Sequence, residues 1–160
     1  MSFAKIERII LESIAASDDR VAVHQALLHL VCAGNALIFM SKNGLKVYPL
    51  NRYVVDRDGN GQVVEIITKE RISKQVLKEQ LPKDFFTDAR GVSEEGSYDD
   101  DMDVFTHVKR DNNRFVWHQE VSNKIIKGSQ GKAPINNTPW IPLRFNTVDG
   151  ESYGRGRVGQ

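Results

Sequence analysis

The spacing of apolar residues in the first third of the chain predicts two helices joined by a short loop. Steps of three and four residues place apolar side chains on one stripe of each helix. The first stripe consists of Phe3, Ile6, Ile10 and Ile14, and the second of Val23, Leu27, Leu30 and Val31. Residues 17–19 supply candidate N-caps, and Gly34 is a suitable C-terminal stop. The pattern therefore predicts a helical pair over residues 1–34 whose apolar faces pack on later segments.

From residue 36 onward the apolar period changes to two, which indicates strands joined by hairpin turns. Asn43-Gly44 suits a two-residue turn, and a second tight turn is expected around Gly59-Asn60. The pairs expected from these turns are Phe39 with Tyr48, Met40 with Val47, Val55 with Val64 and Tyr53 with Ile66. The second hairpin then carries one apolar face, because paired residues point to the same side of a sheet.

A third hairpin is predicted around an Asn112-Asn113 turn, and its alternation is the clearest in the chain. One face carries Val104, Val108, Phe115, Trp117 and Val121, and the other carries His107, Lys109, His118 and Glu120. A slip of one residue would move Trp117 to the charged face. The pattern therefore fixes the register, with Val108 opposite Trp117.

The segment between the second and third hairpins divides into a helical part and an acidic part. Ser73 is expected to cap a short helix that reaches Leu81 and ends before Pro82. Residues 87–103 combine Asp and Glu with Gly and Ser, which favours a mobile acidic loop. The alternative is a docking site for a basic partner surface. With the hairpin-rich region placed at residues 36–148, the chain is predicted to form one α+β domain.

Composition excludes several classes of function. The 160-residue chain has 22 Lys and Arg against 21 Asp and Glu, so its net charge of +1 provides no general attraction for nucleic acid. Its single cysteine, Cys32, excludes an internal disulfide and fits a reducing compartment. The longest apolar run, residues 36–40, is far shorter than the roughly 20 residues that span a bilayer, so no membrane partner is expected.

One loop resembles the first half of a calcium site. Residues 56–61 place Asp56, Asp58 and Asn60 at alternate positions and Gly61 at the sixth. The twelfth position is Ile67, where a calcium loop needs a glutamate that binds with both oxygens. A plain hairpin turn is therefore the favoured interpretation.

The histidines offer two further arrangements. His24, His29 and Cys32 lie in one predicted helix, but the spacing of the histidines spreads them around its axis. His107 and His118 are expected to face each other across the third hairpin, as a metal or acid-base pair or as an exposed cross-strand contact. Helix packing and a surface contact are favoured, so no metal, no cofactor and no catalytic residue is predicted.

The last part of the chain carries a motif that combines prolines and glycines. It reads Thr138-Pro139-Trp140-Ile141-Pro142-Leu143-Arg144-Phe145-Asn146 and continues with Gly150-Glu151-Ser152-Tyr153-Gly154-Arg155. Two prolines allow an edge strand but not a central one, because each removes a backbone donor. A second motif joins an apolar helix, the turn Ala33-Gly34-Asn35 and a strand, followed by Tyr53-Val54-Val55-Asp56-Arg57-Asp58.

Both motifs, in this order, resemble the head-to-tail connector (portal) proteins of short-tailed phages. The resemblance covers most of the chain but about a third of a full portal protein. It implies a fragment of the wing region over residues 1–158, with residues 149–160 as a truncated lead-in to a missing stem helix. It also implies a dodecameric ring at one capsid vertex, through which the terminase drives DNA and to which the tail attaches.

Tyr153, Arg155 and Arg157 are the candidate contact residues. Arginines flanked by glycine and close to a tyrosine can bind phosphate or stack on bases, or they can be ordinary residues near a chain end. In a portal they would lie where the wing meets the stem, so a contact with a neighbouring subunit is favoured over DNA. A small nucleic-acid or protein-binding module is the alternative function.

The incomplete ligand sets predict that the chain binds neither calcium nor zinc tightly. Calorimetric titration with either ion should show no saturable binding in the micromolar range. A tight one-to-one site formed by Asp56, Asp58 and Asn60 would contradict this prediction.

Overall fold

Two antiparallel sheets and three helices form the computed structural model, which describes residues 2–16, 18–86 and 101–158. The helices are α1 (Phe3–Ala16), α2 (Asp19–Ala33) and α3 (Lys74–Gln80). The strands are β1 (Asn35–Ser41), β2 (Gly44–Tyr48), β3 (Tyr53–Arg57), β4 (Val63–Ser73), β5 (Asp101–Asp111), β6 (Arg114–Val121), β7 (Lys124–Ile125), β8 (Gly131–Pro134) and β9 (Trp140–Arg144). The predicted α+β class, with an N-terminal helical pair on antiparallel hairpins, is confirmed.

The strands divide into a small sheet and a large one. The small sheet has the order β2-β1-β9, and the large sheet has the order β3-β4-β5-β6-β7 with β8 also paired to β6. The strand with the two prolines, β9, lies at an edge as predicted, and Pro142 pairs with Leu37 of β1. An edge strand tolerates proline because one side of its backbone needs no partner.

The third hairpin has the predicted register. Val108 lies opposite Trp117, and His107 lies opposite His118. Val108 is fully buried, whereas Trp117 is only partly buried at the edge of the core. Gly131 of β8 approaches the Trp117 ring so closely that a Cβ there would overlap it.

The registers predicted for the first two hairpins are wrong by two residues. In the first, Phe39 pairs with Lys46 and Leu37 with Tyr48, because Ser41 and Gly44 close a turn whose centre is Lys42-Asn43. The Ser41 hydroxyl donates to the Gly44 carbonyl at 2.8 Å and accepts from the Asn43 amide at 3.2 Å. These side-chain bonds stabilise the earlier turn.

The second hairpin has a longer loop than predicted. The Asp58 amide donates to the Gln62 carbonyl at 2.9 Å, so the turn spans residues 58–62, and Val55 pairs with Ile66 and Tyr53 with Thr68. The Asp58 carboxylate accepts from the Asn60 and Gln62 amides at 3.0 and 2.9 Å. A shift of two residues keeps each side chain on its predicted face, so the buried face of Tyr53, Val55 and Ile66 is retained.

Three of the four residues in the predicted apolar stripe of α2 are exposed, and the fourth, Leu30, is half-buried. The helix contacts β1 and β2 through a side that includes the buried Ala26 and the half-buried Ala22, while Val23, Leu27 and Val31 are exposed. Small side chains let a helix lie close to a sheet. The carboxylate of Asp19 adds a polar link, since it accepts from the Leu45 amide at 2.8 Å.

The region after β4 follows the predicted helix but not the full predicted loop. The Ser73 hydroxyl accepts from the Val76 amide, and α3 ends before Pro82 as expected. Asp101 and Asp103, placed in the acidic loop of residues 87–103, belong to β5 instead and pair with Ser73 and Arg71. Residues 87–100 of that loop lie outside the described residues.

The main core lies between the two sheets. Its buried members are Leu37, Tyr48, Tyr53, Val55, Ile66, Val108, Phe115 and Trp140. A smaller core joins α3 to the far ends of β5 and β6 through Leu77, Phe86, Val104 and Val121. The sheets are therefore held together by side chains that alternate along β3 to β6 and pack on inward side chains of β1, β2 and β9.

Ile66 and Val54 test this arrangement, since they occupy opposite faces of the large sheet. Ile66 is 1% exposed and Val54 is 54% exposed. Ile66→Ala should lower the free energy of unfolding by about 2–5 kcal/mol because it leaves a cavity. Val54→Ala should change it by less than about 0.5 kcal/mol. Urea denaturation measures both, and equal effects would contradict the assigned faces.

Candidate functional site

The C-terminal segment, residues 144–158, folds back onto the junction between α2 and β1. Asn35 is at the centre of this contact. Its side-chain amide donates to the Gly154 carbonyl at 2.7 Å, and its side-chain oxygen accepts from the Gly154 amide at 2.7 Å. Both residues are buried, so these two bonds replace the hydrogen bonds to water that the Asn35 side chain and the Gly154 backbone lose on folding. We call this pair of bonds the Asn35–Gly154 clasp.

Three glycines allow the backbones at the clasp to approach each other. A Cβ on Gly34 would lie 2.3 Å from the Arg155 carbonyl carbon, and one on Gly156 would lie 2.3 Å from the Cys32 oxygen. A Cβ on Gly154 would lie 2.7 Å from the Gly34 oxygen. Gly34 also has a φ of 76°, which favours glycine at the end of a helix. These positions accept no larger residue without movement of the backbone.

Tyr153 ties the same segment to the large sheet. Its hydroxyl accepts from the Val55 amide at 2.9 Å, and the neighbouring Ser152 carbonyl accepts from Arg57 Nε at 3.0 Å. Tyr153 is half-buried. The residue therefore fastens the C-terminal segment within the chain while part of its ring stays accessible.

Arg155 and Arg157 have exposed side chains on this segment. Arg155 Nη2 pairs with Glu151 at 2.8 Å, and this hydrogen bond raises the pKa of Arg155. The Arg157 amide donates to the Val31 carbonyl at 2.8 Å, which joins the segment to the last turn of α2. The structure thus brings all three predicted contact residues to one region, with both guanidinium groups facing solvent.

The calcium-like loop is an ordinary turn in this structure. Asp58 directs one carboxylate oxygen to the turn amides and the other to Arg110 Nη1 at 3.1 Å. The bond from the Gln62 backbone, followed by the bond from Arg110, lowers the pKa of Asp58. Its oxygens are therefore already engaged.

The histidines also have separate partners. Nε2 of His118 lies 2.7 Å from Glu120, and Nε2 of His107 contacts Glu65. The two rings meet edge to face, with centroids 5.5 Å apart. In the described part of the chain, no group of three His, Cys, Asp or Glu residues is placed to hold a metal ion. None of the helices there is long and apolar enough to cross a membrane.

The clasp was not anticipated from the sequence. Gly34 and Asn35 were predicted as a helix stop and a turn, which accounts for Gly34 but not for the Asn35 amide. The partner, Gly154, lies 119 residues away. The dense glycines of residues 154–156 were the available signal, because glycine marks a close approach of two backbones.

Loss of the clasp should destabilise the chain. Asn35→Ala leaves the buried amide and carbonyl of Gly154 without a partner, at about 1–3 kcal/mol for each group. Gly156→Ala should also destabilise, because its Cβ would overlap the Cys32 oxygen, whereas Gly59→Ala adds a Cβ with no atom within 4 Å. Chemical denaturation should place both clasp variants well below the Gly59→Ala control. An Asn35→Ala chain as stable as that control would contradict the role of the clasp.

Comparison with known proteins covers nearly the whole chain. Residues 2–160 match the family described as bacteriophage head to tail connecting protein. The chain is 35% identical over 161 residues to the portal protein of Escherichia phage T7, covering 96% of this chain and 29% of that protein. It is 36% identical over 157 residues to the portal protein of Enterobacteria phage T3, with 94% and 29% covered. The portal protein of Pseudomonas phage phiKMV is 28% identical over 162 residues, with 98% and 31% covered.

The chain thus spans less than a third of the length of the curated relatives that it matches. The match nevertheless extends over both motifs and over the segment that forms the clasp. This chain belongs to the bacteriophage head to tail connecting protein family.

Proposed function

We propose that the chain is a structural, non-enzymatic part of a phage portal ring, where it forms the wing region of each subunit. Family membership supports this role, since the relatives are portal proteins. In this proposal the partners are other portal subunits in a dodecameric ring, the capsid, the tail and the terminase. DNA passes through the ring without direct contact with this region. The protein assembles in the host cytoplasm and becomes part of the virion.

The observation that carries the proposal is the exposed apolar surface of α1. Phe3 is 92% exposed, and four further large apolar side chains of α1 are 40–58% exposed, namely Ile6, Ile9, Ile10 and Leu11. Val21, Leu27 and Leu28 of α2 extend the exposed apolar surface. Contiguous exposed apolar surface is typical of sites that bind another protein. A subunit of a larger assembly supplies that partner.

The C-terminal segment supports a second contact. Arg155 and Arg157 direct charged groups into solvent from a backbone that the clasp holds in place. Because the backbone is already held, binding would order only the side chains, and guanidinium groups suit a contact with a neighbouring subunit. Tyr153 positions the segment through its bond to Val55 and adds its accessible ring edge to the same surface.

The alternative function is a small nucleic-acid or protein-binding module that uses its β face. Binding of single-stranded nucleic acid relies on exposed aromatic rings beside a basic groove. Here Phe39 stacks on Trp140 at 4.2 Å between ring centroids, and Trp140 is buried. Lys46, near the same aromatic residues, is paired with Glu70. These contacts favour assembly over nucleic-acid binding.

Ring formation can be tested with a chimera. Residues 2–158 should replace the matching segment of the T7 portal protein and still give closed rings, because repeated head-to-tail contacts close when the rotation permits. The 160-residue chain alone should sediment as monomers or small oligomers, since the relatives place most of their sequence outside this region. Electron microscopy and analytical sedimentation measure the two outcomes. A folded chimera that forms no ring would count against the proposal.

The apolar face of α1 has its own matched test in that chimera. Ile10→Glu places a carboxylate on the exposed apolar face, whereas Lys5→Glu places one on the polar side of the same helix. Ile10→Glu should reduce the yield of rings at least severalfold, and Lys5→Glu should leave it nearly unchanged. Equal yields would show that α1 does not contribute to assembly.

A further inference from the structure

A polar cleft lies beside the clasp, between the turn at residues 58–61 and the loop at residues 147–152. Its volume is about 450 Å³, and its side walls include Arg57 and Arg144. Both arginines reach Gly61: Arg57 Nη1 donates to the Gly61 carbonyl at 3.0 Å, and Arg144 Nη2 would lie 3.5 Å from a Cβ at Gly61. Two guanidinium groups therefore meet at one point of the wall.

The hydrogen-bond partners of Arg57 in the structure are neutral carbonyls. Besides Gly61, it donates from Nε to the Ser152 carbonyl at 3.0 Å and from Nη2 to the Pro142 carbonyl at 3.4 Å. A guanidinium has five N–H donors, so two have no partner among the described residues. Burial, followed by the neighbouring Arg144, lowers the pKa of Arg57. The group stays protonated.

Arg144 is bonded in the same way. Its Nη1 donates to the Glu151 backbone carbonyl at 3.0 Å, and within the part of the chain that the structure describes four N–H donors have no partner. Two like charges repel each other when they lie close together in a partly buried site. An anion placed between them would remove that repulsion and accept several of the unused donors.

The carboxylates of the cleft wall are mostly engaged elsewhere. Asp58 pairs with Arg110 at 3.1 Å, and Glu151 pairs with Arg155 at 2.8 Å. Asp149, in the exposed loop, is the other acidic residue of the lining. The Asp58–Arg110 and Glu151–Arg155 pairs are each neutral overall. The two positive charges of Arg57 and Arg144 then exceed the single negative charge of Asp149 by one.

We propose that this cleft binds a tetrahedral oxyanion, specifically a phosphate group, between Arg57 and Arg144. Guanidinium groups match phosphate oxygens in geometry and form strong charge-assisted hydrogen bonds. Gly59, in the wall of the cleft, leaves room near the backbone, since a Cβ there would meet no atom within 4 Å. Arg155 and Arg157 are not among the residues that line this cleft, although Arg155 pairs with the lining residue Glu151.

The probe is inorganic phosphate, titrated into the ¹⁵N-labelled chain at constant ionic strength. Amide signals of residues 58–62 and 147–152, with the Nε–H signals of Arg57 and Arg144, should shift together and saturate in the millimolar range. Arg144→Gln should raise the Kd at least fivefold, about 1 kcal/mol. Arg71→Gln is the matched control, because it removes one arginine charge near the end of β4 that lies away from the turn at residues 58–62, and it should change the Kd less than twofold.

Two further measurements keep the proposal falsifiable if Arg144→Gln does not fold. Asp149→Asn removes the remaining carboxylate and should tighten phosphate binding, whereas acetate should bind more weakly than phosphate. Linear shifts without saturation, acetate binding tighter than phosphate, or no effect of either cleft variant would overturn the proposal.

Discussion

The Asn35–Gly154 clasp is the interaction on which the rest of the arrangement depends. It joins the end of α2 and the start of β1 to a segment that also holds β3 through Tyr153 and Arg57. Backbone bonds from Phe145 to Gly34 and from Arg157 to Val31 flank the clasp and hold the same junction. The exposed arginines and the phosphate cleft both lie on backbone that this clasp positions. The proposed contact arginines and the proposed phosphate cleft therefore depend on the same buried polar bonds as the fold of the C-terminal segment.

Elements whose position depends on patterning alone were predicted from the sequence. The third hairpin has one register that buries Val108 and Val121, and α3 has a serine cap and a proline stop. The first two hairpins kept their faces but not their partners, because Ser41 and Asp58 bond to nearby backbone and the strand register shifts by two residues. The apolar period of a strand does not show which polar side chain will bond to the turn backbone. Likewise, the large apolar residues of α2 suggested a packing stripe. The alanines pack on β1 and β2 instead, because their small side chains allow the helix to lie close to the sheet.

The candidate site divides in the same way. Tyr153, Arg155 and Arg157 were identified from a local motif, and the structure places them together. Asn35 and the Arg57–Arg144 pair join residues more than eighty positions apart, so a single sequence gives no means of matching them. The exposed apolar helices were expected to pack on later segments of this chain. They are exposed instead, and this exposure supports the proposed contact with another protein.

The position of β1 in the small sheet also constrains the order in which the protein can form. β1 is the central strand, yet one of its partners, β9, lies about a hundred residues later. During synthesis, β1 and β2 can pair early, but the other edge of β1 stays open until residue 144 has left the ribosome. Such long-range pairing is slow, and open strand edges invite wrong partners. The N-terminal half of this protein therefore spends its synthesis as an unfinished sheet, which exposes it to aggregation or chaperone binding before the small sheet closes.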